Sequence, residues 1–280
     1  MKLCIVTATT NPERANACFE TWGRDVPFIV VLNGPQGRHA AATSASSYDR
    51  ATVLYKSGAY LGSVPAFRCG VDYALENTDA DIIACLHDDL MMLEPAWDGR
   101  VLRHFERHQK CGLAGFGGAI GLGAEDIYKT DYRPMQLARV GFRSNLVDAE
   151  VHGMRSLVPE RVACLDGFSQ IGRREFWKGN ILHPDGPTKM YTTPPFSALE
   201  EAGMVHHAYD SALGVIAQQH GWESWYIPIR CRHLGGQTAV GDQGYQAWAK
   251  AQNGIGDQGF WDQAHKALYE LGRGVLPLRV

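Results

Sequence analysis

The sequence predicts an α/β fold with a mostly parallel central sheet flanked by helices and a short helical extension at the C-terminal end. Short apolar, β-branched segments alternate with amphipathic segments as far as Asp89, which is typical of a largely parallel sheet. The 280 residues suffice for a sizeable core, and 45% hydrophobic and 20% charged residues are ordinary for a soluble globular protein.

Charge and cysteine content bear on which partners and which cellular compartment the sequence favours. The formal net charge of -3 gives no indication of nucleic-acid or membrane binding. The seven cysteines are scattered without a Cys-x-x-Cys pair, which favours buried thiols in a reducing compartment over a disulfide framework. The sequence shows neither a signal peptide nor an apolar run near 18 residues, so we expect a cytoplasmic protein without a transmembrane helix.

The first third of the chain supplies the parallel strands. Strands are predicted at Leu3–Ala8, at Phe28–Leu32 and, more weakly, at Ala51–Tyr55. A helix is predicted from Asn11-Pro12 to about Trp22, with Asn11 as its cap, and another from Pro65 to Leu75. The small residues between Gly37 and Ser47 predict a mobile loop.

The segment from Asp81 to Asp89 is the most informative one in the sequence. Its apolar run, Ile82 to Leu86, predicts a strand buried on both faces, and His87-Asp88-Asp89 follows where that strand ends. Open α/β sheets bind ligands at the carboxyl ends of their strands. Adjacent carboxylates repel each other, so a divalent cation on oxygen ligands is predicted here, with a solvated Asp-Asp turn as the alternative.

The middle of the chain is less regular. A helix is predicted from Trp97 to His108, and Leu113 to Gly123 is a glycine-dense segment whose backbone, including Gly118, is expected to approach a ligand closely. That segment lacks the context of a Rossmann dinucleotide site. From Glu125 to Glu160 we expect a long loop over the sheet.

The last part of the chain returns to regular elements. A bent strand or a strand pair is predicted from Val162 to Ile171 with its bend at Gly167, followed by a short helix that opens at Arg173. A loop from Gly179 to Pro195, a helix from His207 to Gln219 and a strand from Glu223 to Ile229 come next. Asp242 and Asp257 are predicted helix starts.

Three landmarks in this order carry a resemblance to a known family. They are Leu86-His-Asp-Asp89, then Asp166-Gly167 with Arg173-Arg174, then His207-Ala-Tyr-Asp210 followed by a helix, a strand and His233. Together they resemble the GT-A-fold glycosyltransferases, especially the inverting family 2 group. The resemblance implies a GT-A-like, Rossmann-like catalytic domain over residues 1–236, with a nucleotide-sugar-binding half (1–92) and an acceptor-binding half (93–236). Residues 237–280 are then a C-terminal helical extension.

The resemblance also implies roles for particular residues. It assigns metal binding to Asp89 and His233, and the role of catalytic base to Asp210. The sequence departs from the family pattern at His87, which replaces the first aspartate of the metal motif, and at Tyr209, which replaces an acidic residue. The predicted nucleotide-sugar contacts are Thr7, Thr9, Asn33, Arg68, Asp88 and Gly118. The predicted acceptor contacts are Asp166, Gly167 and His207.

The implied activity is a metal-dependent, inverting transfer of a hexose from a nucleotide-diphosphate sugar to an acceptor hydroxyl, with Mn²⁺ or Mg²⁺ as the cofactor. The acceptor is left open: a glycan, a lipid-linked precursor, a protein, a small molecule or a modified base in DNA. The last of these depends on arginines that could follow phosphates, or that only form a solvated basic face: Arg100, Arg103, Arg107, Arg133, Arg139, Arg143 and Arg155. Two other functions compete, a metal-dependent phosphohydrolase and a non-catalytic nucleotide-sugar-binding module.

Overall fold

The computed structural model describes residues 1–23, 25–34, 51–55, 60–147, 153–183, 186–234 and 243–280. Within these ranges the strands are β1 (Leu3–Thr9), β2 (Phe28–Leu32), β3 (Ala51–Tyr55), β4 (Ile82–Leu86), β5 (Leu90–Met92), β6 (Cys111–Gly115), β7 (Gly117–Leu122), β8 (Arg139–Ser144), β9 (Met154–Arg155), β10 (Glu160–Val162), β11 (Cys164–Leu165), β12 (Ser169–Arg173), β13 (Asn180–His183), β14 (Gly186–Tyr191), β15 (Glu223–Tyr226), β16 (Cys231–His233) and β17 (Leu278–Arg279).

The helices of the same ranges are α1 (Pro12–Phe19), α2 (Ser63–Asn77), α3 (Trp97–Arg107), α4 (Arg174–Trp177), α5 (Pro195–Glu201), α6 (Tyr209–Gln219), α7 (Gln243–Asn253) and α8 (Asp257–Leu271), with a 3-10 turn at Pro134–Leu137. None of these helices is long and apolar enough to cross a membrane. All seven cysteines lie in the described ranges and are free thiols, six of them buried.

The central sheet has the order β10-β15-β6-β12-β4-β1-β2-β3 in the described part of the chain. Six of these eight strands run in one direction, whereas β10 and β12 run antiparallel to their neighbours. The predicted mostly parallel sheet is therefore confirmed. Because β1, β2 and β4 are parallel and adjacent, their carboxyl ends lie together at one edge.

Helices cover both faces of this sheet. In β1, Cys4 and Val6 pack into one apolar layer together with residues of α2 and α6, whereas Leu3 and Ile5 pack into the opposite layer with residues of α1 and α3. Successive side chains of a strand point to opposite faces, so a strand covered on both sides is apolar along most of its length. This requirement explains why the first strands could be predicted from the sequence.

A smaller sheet lies beside the central one. It has the order β11-β7-β8-β9. Strand β17, at the end of the chain, pairs with Gly121 and Leu122 of β7, next to the part of β7 that pairs with β11. Helix α8 contacts α6, and Phe260 of α8 packs with Tyr60 and Tyr245. The C-terminal segment thus adds a strand to this sheet and two helices near the N-terminal end of α6.

Two expected loops contain strands instead. The segment from Glu125 to Glu160 contributes β8, β9 and the start of β10, and the segment from Gly179 to Pro195 forms the β13–β14 hairpin. Both predictions of irregular structure were wrong. Strand β8, Arg-Val-Gly-Phe-Arg-Ser, has only two large apolar residues, Val140 and Phe142, which is too short a pattern to predict a strand, and it pairs with the edge of β7.

Other predictions fall outside the described residues. The expected loop from Gly37 to Ser47, the helix start at Asp242 and the boundary between residues 236 and 237 all lie in undescribed ranges. The division into two halves and an extension stays a prediction. Asp257 is the first residue of α8, as expected.

The Arg173-Arg174 pair supports the fold. The buried guanidinium of Arg173 donates to the carbonyl oxygens of Cys111 (2.8 Å), His108 (3.1 Å) and Phe105, which lie at and beyond the C-terminal end of α3. Arg174 donates to three carbonyls around the end of α2. Each arginine therefore satisfies carbonyl groups that a helix end leaves without intrahelical partners.

We expect Arg173→Met to lower the free energy of unfolding by about 3 kcal/mol, because it leaves buried carbonyl groups without donors. Urea denaturation followed by circular dichroism measures this change. Arg161→Met is the matched control, since that side chain is half exposed and pairs with Glu223 at 3.7 Å; it should change stability by less than about 1 kcal/mol. Equal effects of the two substitutions would contradict the assigned role of Arg173.

Candidate functional site

A cavity of about 300 Å³ lies at the edge where β1, β2 and β4 end. Residues that follow these strands form one side of it, and the segment that enters α6 forms the other. Its described lining residues are Ala8, Thr10, Asn33, Gly62, Ser63, Phe67, His87, Asp88, Asp89, Asp166, Gly167, His206, His207, Ala208, Tyr209, Asp210, His233 and Tyr245. The carboxyl edge of a parallel sheet is the expected place for a ligand.

His87, Asp89 and His233 form a cluster within this cavity. Strand β16 pairs with β5 so that His233 lies opposite Leu90, which places its ring beside Asp89. The distance from His233 Nε2 is 3.1 Å to Asp89 Oδ1 and 3.3 Å to His87 Nδ1. One ligand atom from each of the three side chains lies within 4.8 Å of the other two, a spacing that a single metal ion can bridge.

Hydrogen bonds determine which nitrogen of His87 carries the proton. The Tyr209 hydroxyl donates to the Gly167 carbonyl oxygen at 3.0 Å, so toward His87 it must accept. His87 Nε2 lies 2.9 Å from that hydroxyl and therefore carries the hydrogen. The lone pair of the neutral ring is then on Nδ1, the atom that faces His233.

The protonation of the two histidines differs. Burial, followed by the nearby His233, lowers the pKa of His87 to about 4, so its ring is neutral near pH 7. Burial also lowers the pKa of His233, but its hydrogen bond to Asp89 and the charges of Asp89, Asp166 and Asp88 outweigh that effect and raise the pKa above its ordinary value. His233 thus lies in the negative potential that also attracts a cation.

This donor set fits a divalent metal ion. Asp89 supplies a carboxylate oxygen, and His87 Nδ1 supplies a nitrogen lone pair oriented by a hydrogen bond on the opposite side of the ring, as is usual for histidine ligands. His233 becomes a ligand when it releases its proton to solvent. A mixed nitrogen and oxygen set accommodates Mn²⁺ as well as Mg²⁺.

A second cluster, His206, His207 and Asp257, has similar spacing but fits a metal less well. The backbone N–H of Ser63 donates to His206 Nδ1 at 3.2 Å, and burial, followed by His207, lowers the pKa of His206 to about 3. The neutral ring then carries its proton on Nε2, so neither nitrogen presents a lone pair to an ion. Asp257 Oδ1 accepts hydrogen bonds from His207 (2.8 Å) and from the hydroxyl of Tyr245 (2.6 Å).

Asp166, Asp210 and Arg139 form an ion-pair cluster on the other side of the cavity. Arg139 Nη2 lies 2.5 Å from Asp210 Oδ2, and Nη1 lies 3.5 Å from Asp166 Oδ2. Burial raises the pKa of Asp166 above its ordinary value, with Arg139 opposing and Asp210 adding to this effect. One guanidinium therefore balances two carboxylates.

Backbone geometry brings this cluster close to the histidines. Ala208, just before α6, has a left-handed conformation with φ of 55°, which is uncommon for a residue other than glycine. At Gly167, a side-chain Cβ would lie 2.9 Å from the Tyr209 hydroxyl and 3.3 Å from Asp210 Oδ2. A glycine at this turn thus allows the start of α6 to approach it closely.

Most of the predicted site residues line this cavity. They are Asn33, Asp88, Asp89, Asp166, Gly167, His207, Asp210 and His233. Asn33 accepts a hydrogen bond from Leu61 N–H at 2.7 Å, and Asp88 accepts one from the Thr9 hydroxyl at 2.6 Å, so both also hold neighbouring loops. Their roles in binding or catalysis stay predictions.

Four of the residues predicted to contact the nucleotide sugar do not line this cavity. Thr7 and Thr9 are buried, and their hydroxyls donate to Leu86 O and to Asp88, respectively. Arg68 pairs with Glu200 and Asp72 on the flank of α2. Gly118 packs β7 against β11, where a Cβ would lie 2.7 Å from the Cys164 carbonyl oxygen. The geometry shows these four residues in structural contacts, and their assignment to nucleotide-sugar binding stays a prediction.

Sequence reasoning did not assign site roles to Arg139, His87 and Tyr209. The sequence suggests Arg139 only as one of the arginines that could follow phosphates, whereas in the structure it pairs with Asp166 and Asp210, two of the four carboxylates that line the cavity. His87 and Tyr209 were noted only as departures from a family pattern, but they contact each other. The sequence departs from the family pattern at both His87 and Tyr209, and these two departures were the signal that could have revealed their contact.

Comparisons with known proteins support the fold. No protein-family model matches the sequence, and a search of curated proteins finds no match. The solved structure of GalNAc-T7 with UDP, GalNAc and Mn²⁺ is similar, with a TM-score of 0.50 and 10% identity over 99% of this chain and 55% of that chain. The chain thus spans about half the length of that protein.

Two further structures are more distant. PcManGT, a mannosyltransferase from Pyrobaculum calidifontis in complex with GDP-Man and Mn²⁺, has a TM-score of 0.44 and 13% identity over 98% of this chain and 70% of that chain. A197 from STIV has a TM-score of 0.39 and 10% identity over 85% of this chain and 87% of that chain. The chain has a GT-A-type fold, and at these identities the similarity concerns the fold alone.

The two metal-ion candidates can be distinguished by Mn²⁺ titration of the full chain, with free Mn²⁺ measured by electron paramagnetic resonance. We expect Asp89→Asn to abolish tight binding, because it removes the carboxylate ligand. Tyr209→Phe should weaken it by about tenfold, because it removes the hydrogen bond that orients His87. Asp257→Asn is the control and should leave affinity unchanged. Loss of binding in Asp257→Asn but not in Asp89→Asn would place the ion at the second cluster.

Proposed function

We propose that this protein is a metal-dependent glycosyltransferase that moves a sugar from a nucleotide-diphosphate sugar to an acceptor hydroxyl, with inversion at the anomeric carbon. One observation carries the proposal. A single cavity holds a cluster suited to a divalent metal ion (His87, Asp89 and His233) and, across from it, a buried carboxylate suited to act as a base (Asp210). The GT-A-type fold supports the same function.

The metal-binding side of the cavity is suited to a nucleotide diphosphate. When bound, Mn²⁺ or Mg²⁺ supplies positive charge that stabilises the departing diphosphate as a Lewis acid. Asp89, His87 and His233 would hold the ion. Asn33, Gly62 and Ser63 line the same cavity beyond them and are proposed to contact the nucleoside.

The other side of the cavity is suited to the acceptor. Asp210 is proposed to take the proton of the acceptor hydroxyl as that oxygen attacks the anomeric carbon. One displacement with no covalent intermediate inverts the configuration at that carbon. Arg139 compensates the charge of Asp210, and Asp166 shares this arginine. Because its pKa is raised, Asp166 is the second candidate for the base.

The alternative functions receive less support. A phosphohydrolase of the expected kind would draw further His and Asp ligands from helices, whereas the three best-placed ligands here follow or end strands β4 and β16. Transfer to a base in DNA receives less support because three of the seven arginines that could follow phosphates are engaged in ion pairs. Arg100 pairs with Glu94, Arg143 with Glu160 at 3.0 Å, and Arg139 with two aspartates. The cytoplasmic location stays a prediction.

The donor can be identified by a thermal-shift panel of UDP-, GDP-, CMP- and dTDP-linked sugars, each with Mn²⁺ and with EDTA. We expect one nucleotide class to raise the melting temperature only in the presence of Mn²⁺, because selective binding to the native state raises apparent stability. Asp89→Asn should remove that shift. The absence of a shift with every donor would contradict the proposal and favour the phosphohydrolase.

The base can be identified from release of the free nucleotide, with water or an added sugar as the acceptor. We expect Asp210→Asn to lower turnover by about 100-fold or more while donor binding persists, because the substitution removes the proton acceptor but keeps the shape of the side chain. Asp262→Asn, at an exposed position of α8, is the control and should keep full activity. Full activity in Asp210→Asn together with its loss in Asp166→Asn would assign the base to Asp166.

A further inference from the structure

A second cavity, of about 460 Å³, lies beside the first. It is bounded by α6, by the segment around β8 and by α8, and its described lining residues are Leu137, Arg139, His207, Ala208, Asp210, Ser211, Trp261, His265 and Leu268. His207, Ala208 and Asp210 line both cavities. A molecule in the second cavity therefore reaches the same Asp210 that lines the first cavity.

The charges lining this cavity favour an uncharged ligand. Arg139 is its one described lysine or arginine, and Asp210 and Asp166 pair with it at 2.5 Å and 3.5 Å. The burial of His265 lowers the pKa of its ring, so it is neutral near pH 7. A phosphate or carboxylate placed here would meet the carboxylate of Asp210 without a free cation to balance it.

Trp261 gives the cavity an aromatic wall. Its ring stacks on His265 with centroids 3.8 Å apart, and His265 Nδ1 donates to the Trp261 carbonyl oxygen at 2.8 Å. These contacts, within one turn of α8, hold the indole in place. An indole packs well against flat apolar surfaces, and the C–H face of a pyranose ring is such a surface while its edge carries hydroxyl groups.

We propose that the second cavity is the acceptor subsite, and that it binds an uncharged sugar ring against Trp261 with one hydroxyl directed at Asp210. This inference rests on the proposed glycosyl transfer. It names the acceptor class as carbohydrate, and it assigns acceptor recognition to the C-terminal helix α8. Arg139 holds Asp210 at the junction of the two cavities and acts as a positioning residue.

The test measures sugar binding separately from donor binding. The full chain is titrated with methyl glycosides of glucose, mannose, galactose and N-acetylglucosamine, followed by saturation-transfer NMR, with and without Mn²⁺ and the donor nucleotide. The wild type should bind at least one glycoside, and Trp261→Ala should weaken that binding by about tenfold, whereas Trp261→Phe should retain most of it. Glucose 6-phosphate should bind more weakly than methyl glucoside.

Trp225→Ala is the matched control for Trp261→Ala. That indole is also half-buried and packs against histidines, with centroids 4.4 Å from His108 and 5.0 Å from His104, but it lines neither cavity among the described residues. It should leave glycoside binding unchanged. Circular dichroism of each variant shows that it folds.

Several outcomes would overturn the subsite. These are no glycoside binding by the wild type, equal loss in the Trp261 and Trp225 variants, or Trp261-dependent binding of a single-stranded DNA oligonucleotide in place of the glycosides. A different result would contradict the proposed function. Trp261-dependent glycoside binding without any metal-dependent donor shift would support the sugar subsite but contradict the transferase.

Discussion

The hydroxyl of Tyr209 connects the three segments that form the site. It donates to the Gly167 carbonyl oxygen in the turn before β12 and accepts from His87 Nε2 at the end of β4. This pair of hydrogen bonds fixes the tautomer of His87 and directs its Nδ1 toward His233. It also holds the first helical turn of α6, which contains Asp210, against the loop at Gly167. Gly167 has to be a glycine because the Tyr209 hydroxyl and Asp210 occupy the space of a side chain.

The electrostatics of the site follow from this arrangement. At one end, Asp89 and its neighbours create a negative potential beside two imidazole rings, which is suited to a cation. At the other end, Arg139 is shared between Asp166 and Asp210, so the described residues there offer no free lysine or arginine to a second anion. The donor's diphosphate is therefore expected on the metal side and an uncharged acceptor on the carboxylate side. In a glycosyl transfer the two substrates meet at one carbon, so the charged donor and the uncharged acceptor need different binding regions on either side of that carbon.

The fold was predictable where a segment is buried on both faces. Strands β1, β2 and β4 read directly as short apolar runs, since no solvent-facing position interrupts them. Strand β8 and the β13–β14 hairpin could not be recognised, because such strands depend on a neighbouring edge more than on their own composition. The same limit applies to β17, whose two residues are a strand only because they pair with β7.

The sequence by itself determined that polar side chains follow a buried parallel strand, and therefore that they lie at the carboxyl edge of the sheet. The resemblance of its motifs to the GT-A-fold glycosyltransferases pointed to Asp89, Asp210 and His233, whose roles stay predictions. Only the tertiary structure decided that His87 lies beside Asp89 and His233, that Arg139 pairs with Asp166 and Asp210, and that Trp261 borders a second cavity next to Asp210. These contacts join residues tens of positions apart, and no local pattern of polarity or periodicity encodes which of them will meet.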